Sequence, residues 1–321
     1  MTSRIRPLFA LVLALAAPLS VFSAPDYPTK PVRLIVPFPP GGATDTLARL
    51  MAEKLSEKWQ QPVMVENKPG ANTSLGTDLV AKSAPDGHTL GIVTGSHVIN
   101  PLLTSKLPYD TLRDLTGVMM LTRFHMGIYA HPSFPANTPA ELISLARQAG
   151  PAPAYAAATT QSYLGMTLLN TMAGTRMEYV PYKGSAQAIN DLLGGHVKLM
   201  IDPILHSTLQ HVQTGKLKLI GTLGAKPAEL TPGVPVFDPV VKGFDFSGVF
   251  GMVVRSGTPA ERVQKIRNDF ATVMSLPEVA DRIRVIGQEA IVSTPEEYNA
   301  YILEEMKKWA PVIKATGAKL D

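Results

Sequence analysis

The sequence predicts an α/β protein of two lobes, and three observations carry that prediction. Strand signals alternate with helix signals along nearly the whole chain, which argues for parallel sheets covered by helices. The 321 residues exceed what one compact core usually holds, so two domains are expected. Several apolar strand-like runs also end in a Gly-rich or polar loop that opens a helix, and in open α/β sheets such loops meet at the carboxyl ends of the strands, where ligands bind.

The N-terminus stands apart from this pattern. Arg4 and Arg6 form a short basic lead, Leu8 to Ala17 is an unbroken apolar run ending at Pro18, and small residues follow at Ser20, Ser23 and Ala24. These are the three regions of a secretory signal peptide, assigned to residues 1–24, with the cut expected after Ser23 or Ala24. The apolar run is shorter than the ~20 residues a membrane-spanning helix needs.

Composition removes several function classes. With no Cys, a lipid-anchored N-terminal Cys, a disulfide framework and thiolate metal sites are all excluded. Without Arg4 and Arg6 the 30 basic residues become 28 against 26 acidic, a net of +2. That is too little for a nucleic-acid groove, and no long run of like charge is present.

The first unit is Val32 to Val36, a β-branched run, followed by Thr44 to Lys58 with Leu47, Leu50, Met51 and Leu55 at helical spacing. The unit recurs as Val63 to Glu66 with a helix over Thr73 to Lys82, then Leu90 to Thr94. It returns as Ala154 to Ala158 before Tyr163 to Met172, and as Val197 to Asp202 before a helix ending near Gly215. Thr138-Pro139-Ala140-Glu141, Thr258-Pro259-Ala260-Glu261 and Thr294-Pro295-Glu296-Glu297 each predict a Thr N-cap, Pro at the first helical position and Glu at the third. Gly127 to Ala130 and Val249 to Val254 are expected to carry the chain between lobes. They divide it into a discontinuous first lobe, residues 25–126 and 250–321, and a second lobe, residues 127–249.

The most informative loop is Pro37-Phe38-Pro39-Pro40-Gly41-Gly42-Ala43-Thr44-Asp45. It joins a strand to a helix, so the N–H groups of Gly42 to Asp45 are expected at a helix N-terminus, where unpaired donors and the helix dipole favour an anion. It lacks the Gly-Lys-Ser/Thr of a phosphate loop and the G-x-G-x-x-G of a dinucleotide site. Asn67 to Asn72 follows the next strand and Gly95-Ser96-His97 the one after. In the second half Thr159-Thr160-Gln161-Ser162-Tyr163 and Pro181-Tyr182-Lys183-Gly184-Ser185 stand in the same relation to a strand and a helix, offering hydroxyl, amide and ammonium donors. Asp202 closes an apolar strand, and it either accepts from a ligand or caps the following turn.

Enzyme constellations are poor. The histidines include no H-x-x-x-H pair, and His206 and His211 are five apart, off one helical face. No G-x-S-x-G elbow exists. Ser96 and His97 could be read as a nucleophile and base of a hydrolase, but a turn Ser beside a surface His is the expected reading.

The order and spacing of further pieces add a family. Tyr27-Pro28, Lys30-Pro31-Val32-Arg33, the Pro37 to Asp45 loop with Ala48-Arg49, Glu66 to Ala71 and Ala84-Pro85-Asp86-Gly87 come first. Val180 to Gly184, Leu192 to His196, Gly215-Lys216-Leu217, Gly257-Thr258-Pro259 and Trp309 to Asp321 follow. Together they resemble the Bug family, the periplasmic substrate-binding proteins of tripartite tricarboxylate transporters. The resemblance implies a periplasmic-binding-protein-like Venus flytrap of two α/β lobes with two interlobe crossovers. It implies no cofactor, a small mono- or dicarboxylate in the cleft gripped partly by backbone amides and ordered water, membrane permease subunits as partners, and a monomer. Carried onto this chain, it points to Phe38, Gly41, Gly42 and Asp45 from one lobe and Thr160, Ser162, Lys183, Gly184 and Asp202 from the other. The loops themselves add Asn72, Ser96 and Tyr182. Two departures stand out: Ala158 to Gly165 replaces the family's Gly- and Ser-rich stretch, and Val249 replaces an aromatic on the returning strand. A periplasmic enzyme acting on a carboxylate and a sensory adaptor presenting ligand to a membrane kinase are the competing readings.

Overall fold

A computed structural model describes residues 27–41 and 43–317; the signal peptide assigned to residues 1–24, and Gly42, lie outside the described residues. In the first third, β1 (Val32–Val36), β2 (Val63–Asn67) and β3 (Thr89–Val93) alternate with α1 (Ala43–Trp59), α2 (Ser74–Ala81) and α3 (Ser96–Leu103). These strands pair in parallel in the order β2-β1-β3, as their alternation with helices requires. Leu47, Ala48, Met51 and Leu55 recur every three to four residues along α1 and are buried.

The second half repeats the plan. β5 (Ala154–Ala157), β6 (Glu178–Pro181) and β7 (Leu199–Pro203) alternate with α5 (Thr160–Ala173), α6 (Ser185–Leu193) and α7 (His206–Gln213), and pair in parallel as β7-β5-β6. Between the halves run two long strands, β4 (Leu115–Ala130) and β9 (Ser247–Arg255), antiparallel to each other. Wholly parallel sheets are therefore not what forms. The crossing strands are joined to their neighbours antiparallel, because the chain must leave one half by β4 and return by β9.

β4 is one continuous 16-residue strand, longer than the Gly127 to Ala130 segment expected from sequence. It changes partners near His125. Leu115 to His125 pairs with β9, and Met126 to Ala130 pairs with β7 on one side and β8 (Lys218–Thr222) on the other. The ten strands among the described residues consequently form a single sheet ordered β2-β1-β3-β9-β4-β7-β5-β6, with β8 and β10 (Gln288–Ala290) attached to β4.

The remaining helices are α4 (Pro139–Arg147), α8 (Ala260–Met274), α9 (Pro277–Val285) and α10 (Pro295–Thr316). Thr138 accepts from the Glu141 N–H at 3.2 Å, and Thr294 with Glu297 forms a complete capping box. Thr258 does not cap α8. Gly257 takes φ 88° and closes a turn in which the Thr258 hydroxyl donates back to the Arg255 carbonyl at 2.7 Å, leaving Pro259 as the N-cap residue. α10 packs on α3, β4 and α5, so the tail of the chain touches both halves. No helix among the described residues is long and apolar enough to cross a membrane.

Candidate functional site

A cleft of about 240 Å³ opens where the carboxyl ends of the two parallel strand sets face each other. From the first set come Phe38 after β1, Thr44 in the first turn of α1, Asn72 and Thr73 before α2, and Thr94, Ser96 and Ile99 around the start of α3. From the second come Thr159, Thr160, Gln161 and Ser162 at the start of α5, Ser185 at the start of α6, and Asp202 and Pro203 at the end of β7. The crossing strands contribute Phe124, Met126 and Phe250.

Five helices thus begin at the cleft, for the same reason that the loops meet there: each follows a strand whose carboxyl end points inward. Their first-turn N–H groups have no intrahelical acceptor, and their dipoles put partial positive charge at the cleft. The described lining contains no Lys, Arg or His. Attraction for an anion therefore comes from peptide dipoles and neutral donors.

The hydroxyls are pre-ordered. Ser96 Oγ lies 2.5 Å from Thr73 Oγ1 and 3.0 Å from Thr94 Oγ1. Thr159 caps α5, accepting from the Ser162 N–H at 3.0 Å and donating to Ser162 Oγ at 2.9 Å. Gln161 reaches across to the first half, where its amide packs so closely over Gly95 that a Cβ there would stand 2.9 Å from Nε2. The turn before α2 is held under strain, with Ala71, Asn72 and Thr73 all at positive φ (45°, 49° and 71°). A β-branched residue in that region is a genuine outlier and marks backbone held by its surroundings. The buried Asn100 supplies the hold: the Asn72 amide donates to Asn100 Oδ1 at 2.7 Å, and the Asn100 amide donates to the Asn72 carbonyl at 2.9 Å.

Of the residues named from sequence, Phe38, Asn72, Ser96, Thr160, Ser162 and Asp202 come together in this lining. The others are placed differently. Asp45 is buried, with Oδ2 accepting from the Gly41 N–H at 2.9 Å and from Arg49 at 3.0 Å, and Oδ1 accepting from the Asn67 amide at 2.8 Å. The Arg49 guanidinium, aided by the Gly41 and Asn67 donors, holds its carboxyl down to about 2. Asp45 is thereby a brace for the Phe38 to Gly41 loop, and the N–H of Gly41 is spent on it. Tyr182 turns away, donating its hydroxyl to Asp191 Oδ2 at 2.8 Å beside Val180 and His196. Lys183 is exposed outside the lining, and Gly184 serves as the N-cap residue of α6.

His97 is not a surface residue. It is 2% exposed, its Nδ1 has no hydrogen-bond partner, and burial pushes its imidazole down to about 4. The Ser96 hydroxyl is engaged by Thr73 and Thr94 instead, so the pair does not have nucleophile and base geometry. Among the described residues, no group of three or more His, Asp or Glu is placed to hold a metal.

Sequence reasoning missed Phe124, Met126 and Phe250, whose apolar character reads as core. The Phe124 and Phe250 rings are 5.1 Å apart, and Phe38 meets Phe250 edge-on at 6.4 Å, giving the cleft an aromatic wall. Val249, in place of an aromatic, is buried in the crossing pair opposite Arg123.

The family model described as tripartite tricarboxylate transporter family receptor matches residues 47–318. The chain is 32% identical over 318 residues to Protein BugT of Bordetella pertussis, covering 98% of this chain and 96% of that one. It is similar to the solved structure of Rpa4515 of R. palustris with adipate, at TM-score 0.77 and 30% identity, covering 92% of this chain and 99% of that one. MatC from Rhodopseudomonas palustris with bound malate is similar at TM-score 0.72 and 28% identity, covering 89% and 100%.

Proposed function

The chain belongs to the tripartite tricarboxylate transporter receptor family, a family of receptors rather than enzymes, and we propose that it captures a small mono- or dicarboxylate in the periplasm for membrane permease subunits of a tripartite transporter. The observation that carries this reading is the convergence of five helix N-termini on a cleft whose lining, among the described residues, has no basic side chain. Oriented peptide dipoles favour a carboxylate at modest desolvation cost, while the Phe38, Phe124 and Phe250 wall suits a short carbon skeleton. Relatives whose structures hold adipate and malate support a dicarboxylate of that size.

In this reading Phe38, Asn72, Ser96, Thr160, Ser162 and Asp202 contact ligand, with Thr44, Thr73, Gln161 and Ser185 joining them. Asp45 and Asn100 position the loops from behind. The lobes, residues 25–126 with 250–321 and residues 127–249, close about the β4 and β9 crossing strands.

The test is a thermal-shift screen of ligand-stripped protein against small carboxylates, amines and sugars. A carboxylate at a hundred times its Kd should add roughly 2.7 kcal/mol to stability. A melting point moved by amines or sugars and by no carboxylate would defeat the proposal. Export is checked separately by N-terminal sequencing of protein secreted from a Gram-negative host, expected to begin at Ala24 or Pro25; a full-length chain retained in the membrane would contradict it.

A further inference from the structure

Asp202 is the one ionisable side chain in the described cleft lining, and an acid is the wrong partner for a carboxylate unless it is neutral. It ends β7 at 2% exposure. Its Oδ1 accepts from the Ser185 hydroxyl at 2.6 Å, and its Oδ2 is buried with no hydrogen-bond partner. A buried carboxylate oxygen without a donor is costly as an anion. The cost falls if the group carries a proton, and it falls further if that proton then meets an acceptor.

Among the described residues no cationic side chain pairs with the anion: its compensation is the Ser185 hydroxyl and the helix dipoles at the cleft, and Arg123 of β4 acts on Tyr301. Of the titratable groups on elements packed against β7, the Tyr129 phenol of β4 is the one coupled to Asp202. Tyr155 of β5 and Tyr163 of α5 act on each other and on Tyr179. Asp191 of α6 is taken by Tyr182, and His125 of β4 by Glu289 at 2.8 Å. Burial accordingly pushes the Asp202 carboxyl up to about 6, with the Ser185 hydrogen bond opposing only part of the shift. A carboxylate arriving in the same cleft, with no cation between, raises it further because like charges disfavour ionisation.

We propose that Asp202 binds ligand as the neutral acid, its Oδ2–H donating to a ligand carboxylate oxygen while Oδ1 keeps accepting from Ser185, so that each capture takes up one proton from solvent. This rests on the reading of the chain as a carboxylate receptor and adds a linkage to it. The binding-competent form is the protonated one. Above the free carboxyl's value of about 6, its population falls about tenfold per pH unit, and the apparent Kd rises in proportion. Between pH 6.5 and 8.5 affinity should therefore fall as pH rises, while a dicarboxylate probe remains ionised.

The experiment is titration calorimetry of the intact mature protein with adipate and with malate across that range, repeated at pH 7.5 in phosphate and in Tris. The two buffers differ in ionisation heat, and the difference in apparent binding heat counts protons. The expected result is close to one proton taken up per ligand at pH 7.5, and affinity falling by about tenfold per pH unit. Asp202→Asn, which keeps an N–H donor and cannot titrate, should show no proton uptake, a flat pH profile and tighter binding than wild type at pH 8.5.

A flat wild-type profile with no proton uptake overturns the proposal. So does an Asp202→Asn variant that loses binding while the wild type is indifferent to pH, since Asp202 would then be an anion accepting from a ligand hydroxyl or ammonium. If the variant fails to fold, the wild-type proton count decides alone. Binding of no carboxylate at any pH would instead bring down the receptor reading itself.

Discussion

Replacing Trp309 by alanine should lower the free energy of unfolding by about 3–5 kcal/mol, the range for removing a buried large aromatic. Trp309 is 2% exposed on α10, edge-on to Phe246 at 5.8 Å, and its indole N–H donates to Glu305 at 2.9 Å. It belongs to the largest core cluster, which runs from Val98 and Ile99 of α3 to Leu164 and Leu168 of α5. Truncation would open a cavity there and strip Glu305 of a donor. Since domains are stable by only about 5–15 kcal/mol, the variant should melt markedly lower in a urea or thermal titration. A loss below about 1 kcal/mol would mean that α10 is a loosely held tail and that this description of the core is wrong.

A second large effect is expected at Gly248, where stability and binding should separate. Gly248 pairs with Phe124 across β9 and β4, and the Phe124 ring covers it so closely that a Cβ would overlap it, the nearest ring carbon standing 1.8 Å away. The aromatic ring occupies the space of the missing side chain, a packing common where a strand glycine faces a ring. In Gly248→Ala the ring must leave, and the cleft that Phe124 lines is the open space beside it. The fold should survive by circular dichroism, while the best carboxylate binds at least tenfold more weakly, about 1.4 kcal/mol. Adding Phe124→Ala to Gly248→Ala should restore part of the affinity by clearing the cleft. A Gly248→Ala protein that is folded and binds as tightly as wild type would remove Phe124 from the site.

Much of the fold is legible in sequence because short apolar strands and amphipathic helices announce themselves locally. β1, β2, β3 and α1 fall within one or two residues of their expected bounds, and Thr138 and Thr294 cap as their spacing implies. What is not legible depends on partners far away in the chain. That β9 meets β4 antiparallel across more than a hundred residues leaves no local trace. α3 carries Pro101 within it, a residue that interrupts the local helix pattern. Thr258 has the same neighbours as the other two threonines, but the Gly257 turn points its hydroxyl backward.

The site divides along the same line. Phe38, Asn72, Ser96, Thr160, Ser162 and Asp202 stand just beyond strand ends, where topology alone brings loops together, and the cleft collects them. Phe124 and Phe250 sit inside strands, where nothing in the local pattern separates a wall of a cleft from a core residue. Tyr182 and Lys183 follow β6 in the expected way, yet Tyr182 turns to Asp191 and Lys183 to solvent, and of that loop the cleft takes Ser185.

The convergence of helix N-termini, with no basic side chain among the described lining residues, also bears on how fast ligand arrives. A net charge in the cleft would reach out over the Debye length, about 8 Å at physiological salt, and its pull would be screened as salt rises. Opposed partial charges at the ends of a helix largely cancel at a distance, and the dipole's effect is confined to the terminal turn. A carboxylate is thus drawn in only once it is already at the mouth of the cleft. With Asp202 neutral, below its value of about 6, encounter is governed by diffusion and cleft opening and the association rate should be nearly indifferent to ionic strength; above that value the ionised carboxylate repels the ligand, and added salt should speed association.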